Sequence, residues 1–406
     1  MTSDRTLRVL LVTETVLPQV GGGETQAALL AEGLAERGHQ VTLLGRRSIP
    51  GTPRDETTAY RTLRVGPEGP GRWKKWGLLL TLPRVLPALL RRTDIVVVSG
   101  FRLVGGSVLR AAQRVGVPVV LKADSPGEWS GEYFRQGLQS IGLKLTHSLV
   151  RRALQRRNRQ LLQARAFVSI SEMLRQELQE GGVPSERVVG IPNGVDLERF
   201  SPAEPLERER LRKTLGLPPG PVLVNVGRIV RYKGIHALIQ AWAKVSPLHP
   251  GATLVLVGGG SHDLDNCVTE IRALVDDLDL GSTVRFAGEV ADSGPWLKAS
   301  DGFVFASTHE AFGLVLVEAM GCGLPVVTTH VGVAPGCLQN GHNAWVVTPN
   351  DVEGLARAMD QLLSDLPAAA RLGERARQVA INGFGSDVVV GQWERLLMSL
   401  VGEKIH

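Results

Sequence analysis

Disulfide and metal chemistry are what this chain has least material for. Its 406 residues include three cysteines, Cys267, Cys322 and Cys337. Neither a C-x-x-C pair nor a metal-ligand spacing occurs among them, so reduced thiols in a cytoplasmic protein are expected. No two histidines stand at ligand spacing. Asp263-Leu-Asp265 and Asp277-Leu-Asp279 have the D-x-D form, but both fall in or at the ends of helices, where solvated surface acids are expected. Nothing in the sequence calls for a metal. No run of about 18 apolar residues occurs, which excludes a helix spanning a membrane. With only Met1-Thr-Ser-Asp-Arg before the first strand, no signal peptide is expected. Low-complexity tracts and internal repeats are absent too, which excludes solenoids and disordered arrays.

What is present is ordinary globular composition, 43% hydrophobic and 21% charged, with 47 glycines and 23 prolines that suit many βα turns. The length suggests two domains of roughly 200 residues. Apolar runs at 8–13, 41–44, 94–99, 118–122, 167–171 and 188–192 alternate with helical patterns, including 25–37, 105–115 and 172–180. A second series begins at 222–228 and runs through 253–257, 284–288, 303–305, 325–329 and 344–347. Such alternation predicts doubly wound parallel sheets with their sites at the carboxyl ends of the strands. The turn chemistry of 191–202 marks the connection. We expect a first domain over 1–196, completed by a C-terminal apolar helix at 386–406 carrying Trp393, and a second over 197–385.

Charge is unevenly placed. Net charge is +6, yet residues 1–196 hold 28 Lys+Arg against 17 Asp+Glu, and the remainder 18 against 23. The basic half contains Arg72-Trp-Lys-Lys-Trp76 before a leucine-rich run. It also contains 135–165, with eight basic residues and no acid. That segment reads as a long helix with Leu138, Ile141, Leu145, Leu149, Leu154 and Leu161 roughly on one side. Basic, apolar and Trp residues together suit an anionic membrane surface. Nucleic acid is the competing electrostatic partner, but no nucleic-acid motif accompanies the charge. A solvated helix packed on its own domain accounts for the pattern equally well.

The most informative stretch is 307–329, S-T-H-E-A-F-G-L-V-L-V-E-A-M-G-C-G-L-P-V-V-T-T. A strand ends there, a helix over 314–320 follows, and Gly321, Gly323 and Pro325 stop it before the next strand. Ala311, Phe312 and Gly313 offer backbone N–H groups with little side-chain cover, and with the helix start at Leu314 they suit a phosphate. Glu310 precedes the helix and Glu318 lies within it. Carboxylates accept hydrogen bonds from hydroxyls, so this pair points to a polyol beside a phosphate. The plainer account is a βαβ unit with one acid favourable to the helix dipole and Glu318 on an exposed face. His309 is expected to be a packing residue. In the same half, Arg228 ends a strand and Lys233 starts a helix. The two converge on a diphosphate or form a surface pair. In the first half, Gly21-Gly22-Gly23 reads as a loop after the first strand, either a close approach to a ligand or a flexible connection, with Glu24 capping the helix that follows. That loop is not G-x-G-x-x-G, and Gly45-Arg46-Arg47 ends the second strand where an acid would stand, which disfavours bound NAD.

Five segments taken together resemble the retaining GT-B glycosyltransferases of family 4, across nearly the whole chain. They are G-G-G-E at 21–24, V-S-I-S-E at 168–172, I-P-N-G-V-D-L-E-R-F at 191–200, V-G-R-I-V-R-Y-K-G at 226–234, and E-A-F-G-L-V-L-V-E-A-M-G-C-G-L-P-V-V at 310–327. The resemblance implies two Rossmann-like domains facing across a cleft, and a metal-independent hexosyltransferase without cofactor that takes a UDP-, GDP- or ADP-sugar. It implies that Arg228 and Lys233 bind the donor diphosphate, that Glu318 holds the ribose hydroxyls, and that Glu310 sits against the transferred sugar. The amides of Ala311, Phe312, Gly313 and Leu314 would meet sugar or phosphate. Gly22 and Gly23 would lie near that phosphate, and Gly21, Gly22, Gly23, Glu24, Lys122 and Glu128 on the acceptor side. Two departures stand out. By the resemblance, Asp124 occupies the place of a family His, and Asp124 or Lys122 would replace its contact with the donor sugar. Gly332-Val333-Ala334-Pro335-Gly336 replaces a family Gly-Gly and Glu. The implied acceptor is a sugar, lipid-linked compound or cell-surface glycan precursor, used in the cytoplasm or on the inner face of the plasma membrane. An epimerase of the same fold would turn over donor without acceptor, and a non-catalytic sugar-nucleotide or membrane binder would not turn it over at all.

Overall fold

Parallel strands need crossovers, and the helical stretches between the apolar runs supply them. The computed structural model describes residues 5–18, 21–69, 72–132, 147–260 and 265–402. The chain forms two units, Met1–Gly194 with Ser386–His406, and Val195–Gly385.

In the first unit the strands are β1 (Arg8–Thr15), β2 (Gln40–Arg46), β3 (Asp55–Thr57), β4 (Arg61–Val65), β5 (Ile95–Ser99), β6 (Val119–Ala123), β7 (Ala166–Ser169) and β8 (Val188–Gly190). Their order is β3-β4-β2-β1-β5-β6-β7-β8, and only the β3–β4 pair is antiparallel. Central β5 is an unbroken β-branched run, Ile95 to Val98, that is fully buried, as parallel strands covered on both faces are. Strand order reverses at β1, which has β2 on one side and β5 on the other. Such a reversal opens a crevice at the carboxyl ends. The terminal helix Ser386–Gly402 sets Val389, Val390, Trp393 and Leu397 into one core with Leu30, Ala31 and Leu34 of the helix Gly22–Glu36.

The second unit has β9 (Val222–Val226), β10 (Thr253–Val257), β11 (Val284–Gly288), β12 (Gly302–Phe305), β13 (Val326–Thr329) and β14 (Trp345–Val347). Their order is β11-β10-β9-β12-β13-β14, so the reversal falls between β9 and β12. Its core surrounds Trp242, fully buried on the helix Ile235–Val245, whose indole N–H donates to Thr283 Oγ1 at 3.1 Å. Asp301 ties the helix Pro205–Thr214 to β9, accepting from Arg212 at 3.0 Å and from the Val222 amide at 2.8 Å.

The structure departs from expectation in several places. Gly21-Gly22-Gly23 is no loop: Gly22 and Gly23 form the first turn of the helix Gly22–Glu36, whose opening bond runs from the Thr25 amide to the Gly21 carbonyl at 3.0 Å. Glycine weakens a helix least there, where the amides have no intrahelical acceptor. Glu24 does not cap that helix; it accepts the Thr15 hydroxyl from the end of β1. The third helix starts at Phe101 instead of Gly105. The β3–β4 hairpin and the helix Leu366–Phe384 carried no signal we read. Helix Arg72–Leu90 forms despite Pro83 and Pro87. Leu78, Leu82, Leu86 and Leu90 recur every four residues and are at most 1% exposed. At about 2 kcal/mol per buried leucine, their burial outweighs two prolines at about 3 kcal/mol each.

Of the long basic segment, the helix His147–Leu161 is described, with Leu161 buried and Leu154 half-buried. Leu138, Ile141 and Leu145 lie outside the described residues, as does Asp263. Asp265, Asp277 and Asp279 are exposed. We predict that Trp393→Ala lowers the unfolding free energy of the first unit by about 3–5 kcal/mol, measured by urea denaturation. An unchanged midpoint would remove the terminal helix from that core.

Candidate functional site

Two loops at the β9/β12 reversal build the principal site. After β9 the chain passes Arg228 and makes a single 3-10 turn, Arg231–Lys233, before the helix Ile235–Val245. Lys233 thus precedes the helix instead of starting it. Gly234 between them has φ +68°, and a Cβ there would stand 1.9 Å from the Ala306 carbonyl oxygen. Only glycine permits this approach of the turn to the end of β12. The Thr308 amide donates to the Tyr232 carbonyl at 2.7 Å, clamping the loop after β12 onto the same turn.

This clamp brings Lys233 Nζ onto Glu310 Oε1, with the two side chains only 16% and 11% exposed. Ser307 Oγ donates to the same oxygen at 2.8 Å, and Oε2 has no partner among the described residues. Tyr232 stands beside both cations: Arg228 donates to its hydroxyl, and its ring centroid lies 5.8 Å from the Arg228 guanidinium and 5.6 Å from Lys233 Nζ. Sequence reasoning missed Tyr232 and Ser307, although an aromatic set between two basic residues was a readable signal. His309 is exposed, not packed.

Beyond Glu310 the chain enters the helix Leu314–Gly321 through Gly313. The backbone N–H groups of Ala311, Phe312, Gly313, Leu314 and Val315 find no acceptor among the described residues. Five such amides at a helix start, next to Lys233 and Arg228, favour an anion. The loop after β13 supports them from behind. Gly332 has φ +62°, with its Cβ position 2.3 Å from the Phe312 carbonyl oxygen, and the Val333 amide donates to that oxygen at 2.8 Å.

Glu318 does not join this ion pair. It lies one turn into the helix, near the Ser293 side chain and the Arg199–Asp292 ion pair of 2.7 Å. Burial raises its pKa to about 7, partly opposed by Arg199. Arg199, Asp292 and Ser293 were not picked out from sequence, because 93 residues separate the first two.

In the first unit, Lys122 and Asp124 point to one face at the end of β6 and form an ion pair, 5% and 16% exposed. Ser99, paired with Lys122 across β5 and β6, donates to Asp124 at 2.5 Å. Glu128 is 2% exposed. Its Oε1 lies 3.4 Å from the Asp124 amide. Burial first, and the Asp124 charge second, push its pKa to about 8. Lys122, Asp124 and Glu128 therefore form one cluster. Gly21 and Glu24 belong to the neighbouring β1 turn, where Glu24 meets Thr15.

Residues 207–379 match the family model described as glycosyl transferases group 1, and residues 20–199 match that of glycosyltransferase family 4. The chain is 30% identical over 411 aligned residues to D-inositol 3-phosphate glycosyltransferase 1 of Catenulispora acidiphila, covering 93% of this chain and 92% of that protein. It is 36% identical to the lipopolysaccharide core biosynthesis glycosyltransferase LpsE of Rhizobium meliloti, over 44% of this chain and 50% of that protein. The chain spans about half the length of most curated relatives it matches. Among solved structures, Anabaena HepE in complex with UDP-glucose superposes with a TM-score of 0.76 at 22% identity, covering 97% of this chain and all of that one. Sucrose-phosphate synthase from Thermosynechococcus elongatus gives 0.76 at 25% identity, covering 98% and 99%.

The Glu318 environment makes a pH prediction. A carboxyl raised to about 7 binds its proton more tightly in the folded chain than in the unfolded one. Its contribution is therefore present below the ordinary carboxylate range and is lost as pH rises through 7, by about 3 kcal/mol in all. Glu318→Gln should gain stability relative to the parent between pH 5 and pH 8, read as the difference in melting temperature. An offset that stays constant across that range would refute the burial argument.

Proposed function

The chain belongs to the group 1 glycosyltransferases of family 4, and from that premise we propose that it is a retaining hexosyltransferase using a nucleotide-diphosphate sugar. The observation that carries this reading is the Lys233–Glu310 pair beside Arg228 and five amides that have no acceptor among the described residues. A nucleoside diphosphate of the UDP, GDP or ADP kind is the leaving group for which such a set is suited. Arg228 and Lys233 neutralise its phosphates, and the amides of 311–315 take the oxygen that becomes negative as the bond to the sugar breaks. Glu318 accepts the ribose hydroxyls, and Glu310, oriented by Lys233 and Ser307, accepts those of the hexose.

In this mechanism the sugar C1–O bond to the diphosphate breaks, and the acceptor oxygen bonds C1 on the same face. The departing phosphate oxygen takes the acceptor proton. Charge stabilisation rests on side chains and amides, so the reading assigns no role to a divalent cation or other cofactor. Lys122, Asp124 and Glu128, with Gly21, Gly22, Gly23 and Glu24, are assigned to the acceptor side, with Asp124 accepting a hydroxyl. The acceptor is a sugar or lipid-linked glycan precursor. No described helix is long and apolar enough to cross a membrane, and the basic surplus of the first half supports a peripheral place on an anionic inner leaflet.

Purified protein incubated with labelled nucleotide sugars and glycan or lipid-linked acceptors should transfer sugar, and should keep doing so in EDTA. Lys233→Ala and Glu318→Ala should each lower kcat/KM at least about 100-fold with the circular dichroism spectrum unchanged. Full turnover in either variant would overturn the site assignment, and donor turnover without acceptor would favour an epimerase.

A further inference from the structure

The first unit carries a second feature that the donor site does not use. Helices Phe101–Gln113 and His147–Leu161 flank a groove of about 420 Å³ lined by Arg102, Arg110, Arg156 and Arg157, with Gln160 and Leu79. No acidic residue among the described residues lines it. The volume is that of a small-molecule pocket, for which about 300–1,000 Å³ is usual.

The groove is built, not a chance meeting of long side chains. Gln160 latches the two helices, donating to the Gly106 carbonyl at 2.7 Å and accepting from Arg110 at 3.1 Å. Arg157 is fixed by the carbonyls of Glu128 and Trp129, to which it donates at 2.6 and 2.8 Å, and burial lowers its pKa. Arg156 is exposed and makes neither an ion pair nor a hydrogen bond among the described residues. Arg102 also ion-pairs with Glu14 at 3.6 Å, while Arg110 and Arg156 meet no carboxylate among the described residues. Such a concentration of guanidinium cations at one concavity favours an anion. Their planar forks match the oxygens of a phosphate. Leu79 supplies one apolar wall, and its neighbour Leu80 is 70% exposed.

We propose that this groove binds the phosphate or diphosphate group of a phosphorylated acceptor. The inference rests on the glycosyltransferase reading for the word acceptor, but its binding chemistry is made wholly of first-unit residues. The apolar wall suits an ester whose organic part is at least partly hydrocarbon. A phosphate seated there would hold the acceptor by a group remote from the hydroxyl that reacts. Binding energy is then spent on positioning, and an analogue lacking the phosphate loses rate as well as affinity.

The test uses the full chain, with inorganic pyrophosphate followed by titration calorimetry at low salt. Co-sedimentation runs in parallel with phosphatidylcholine vesicles that contain or lack phosphatidic acid. Arg110→Glu with Arg156→Glu reverses two exposed charges, and Arg156→Ala alone removes one group that has no partner among the described residues. We expect the double variant to weaken pyrophosphate or phosphatidic-acid vesicle binding at least tenfold and the single variant to weaken it less. Thermal shifts with UDP, GDP and ADP should stay as in the parent. Pyrophosphate binding identifies a phosphate reached from solution, whereas vesicle binding alone identifies one presented by a lipid. The proposal is overturned if the parent binds neither probe or if both variants bind as the parent does. It is equally overturned if Arg228→Ala with Lys233→Ala abolishes pyrophosphate binding while the groove variants retain it. Loss of the nucleotide shift in Arg228→Ala with Lys233→Ala tests the donor reading separately, so the two failures are distinguishable.

Discussion

Lys233 and Glu310 come from opposite sides of the point where strand order reverses in the second sheet, and each is mostly withdrawn from water. Removing either would leave its partner as an uncompensated charge in a low-dielectric place, a loss on the order of 3–5 kcal/mol. The pair forms only because a left-handed glycine lets the 3-10 turn press against the end of β12. Much of the second unit serves that approach: the parallel register of β9 and β12, the Thr308–Tyr232 clamp, and the Ser307 hydroxyl that completes the shell of Glu310. The amides beyond Glu310, which have no acceptor among the described residues, are then aimed by the same loop.

The first unit repeats the device with different chemistry. Its order reverses at β1 and β5, and the charged residues gather at the carboxyl ends of β5 and β6. There the cation is Lys122, and two carboxyls share its surroundings. Asp124 takes the ion pair, and Glu128, deeper and without it, is pushed up to about 8. Two carboxyls this near cannot both stay charged at low cost, so burial divides their roles. Lys122 and Ser99 satisfy Asp124 locally.

How much was legible varies with the range of the interaction. Strands such as Ile95–Ser99 and the helix Glu172–Glu180 were readable because local periodicity and turn residues mark them. Arg228, Lys233, Glu310 and the amides at 311–314 were readable as a set, since each sits at a strand end followed by a helix. The triple glycine misled, because glycine permits a loop and a first helical turn alike. Helix Arg72–Leu90 was hidden by its prolines, whose local cost only the buried leucine stripe offsets.

Sequence alone determined that the chain alternates strand and helix in two series, and that phosphate-seeking and hydroxyl-seeking groups lie at the strand ends. Those properties follow from side-chain period and turn chemistry, which act over a few residues. Tertiary structure decided which groups meet. It paired Lys233 with Glu310 across 77 positions, placed Glu318 beside Arg199 and Asp292 instead, and gathered four arginines from two helices into one groove. The stretch 307–329 that looked like one site is thus divided between two charge environments. Sheet order and burial settle such pairings, and neither is written in any local window of the chain.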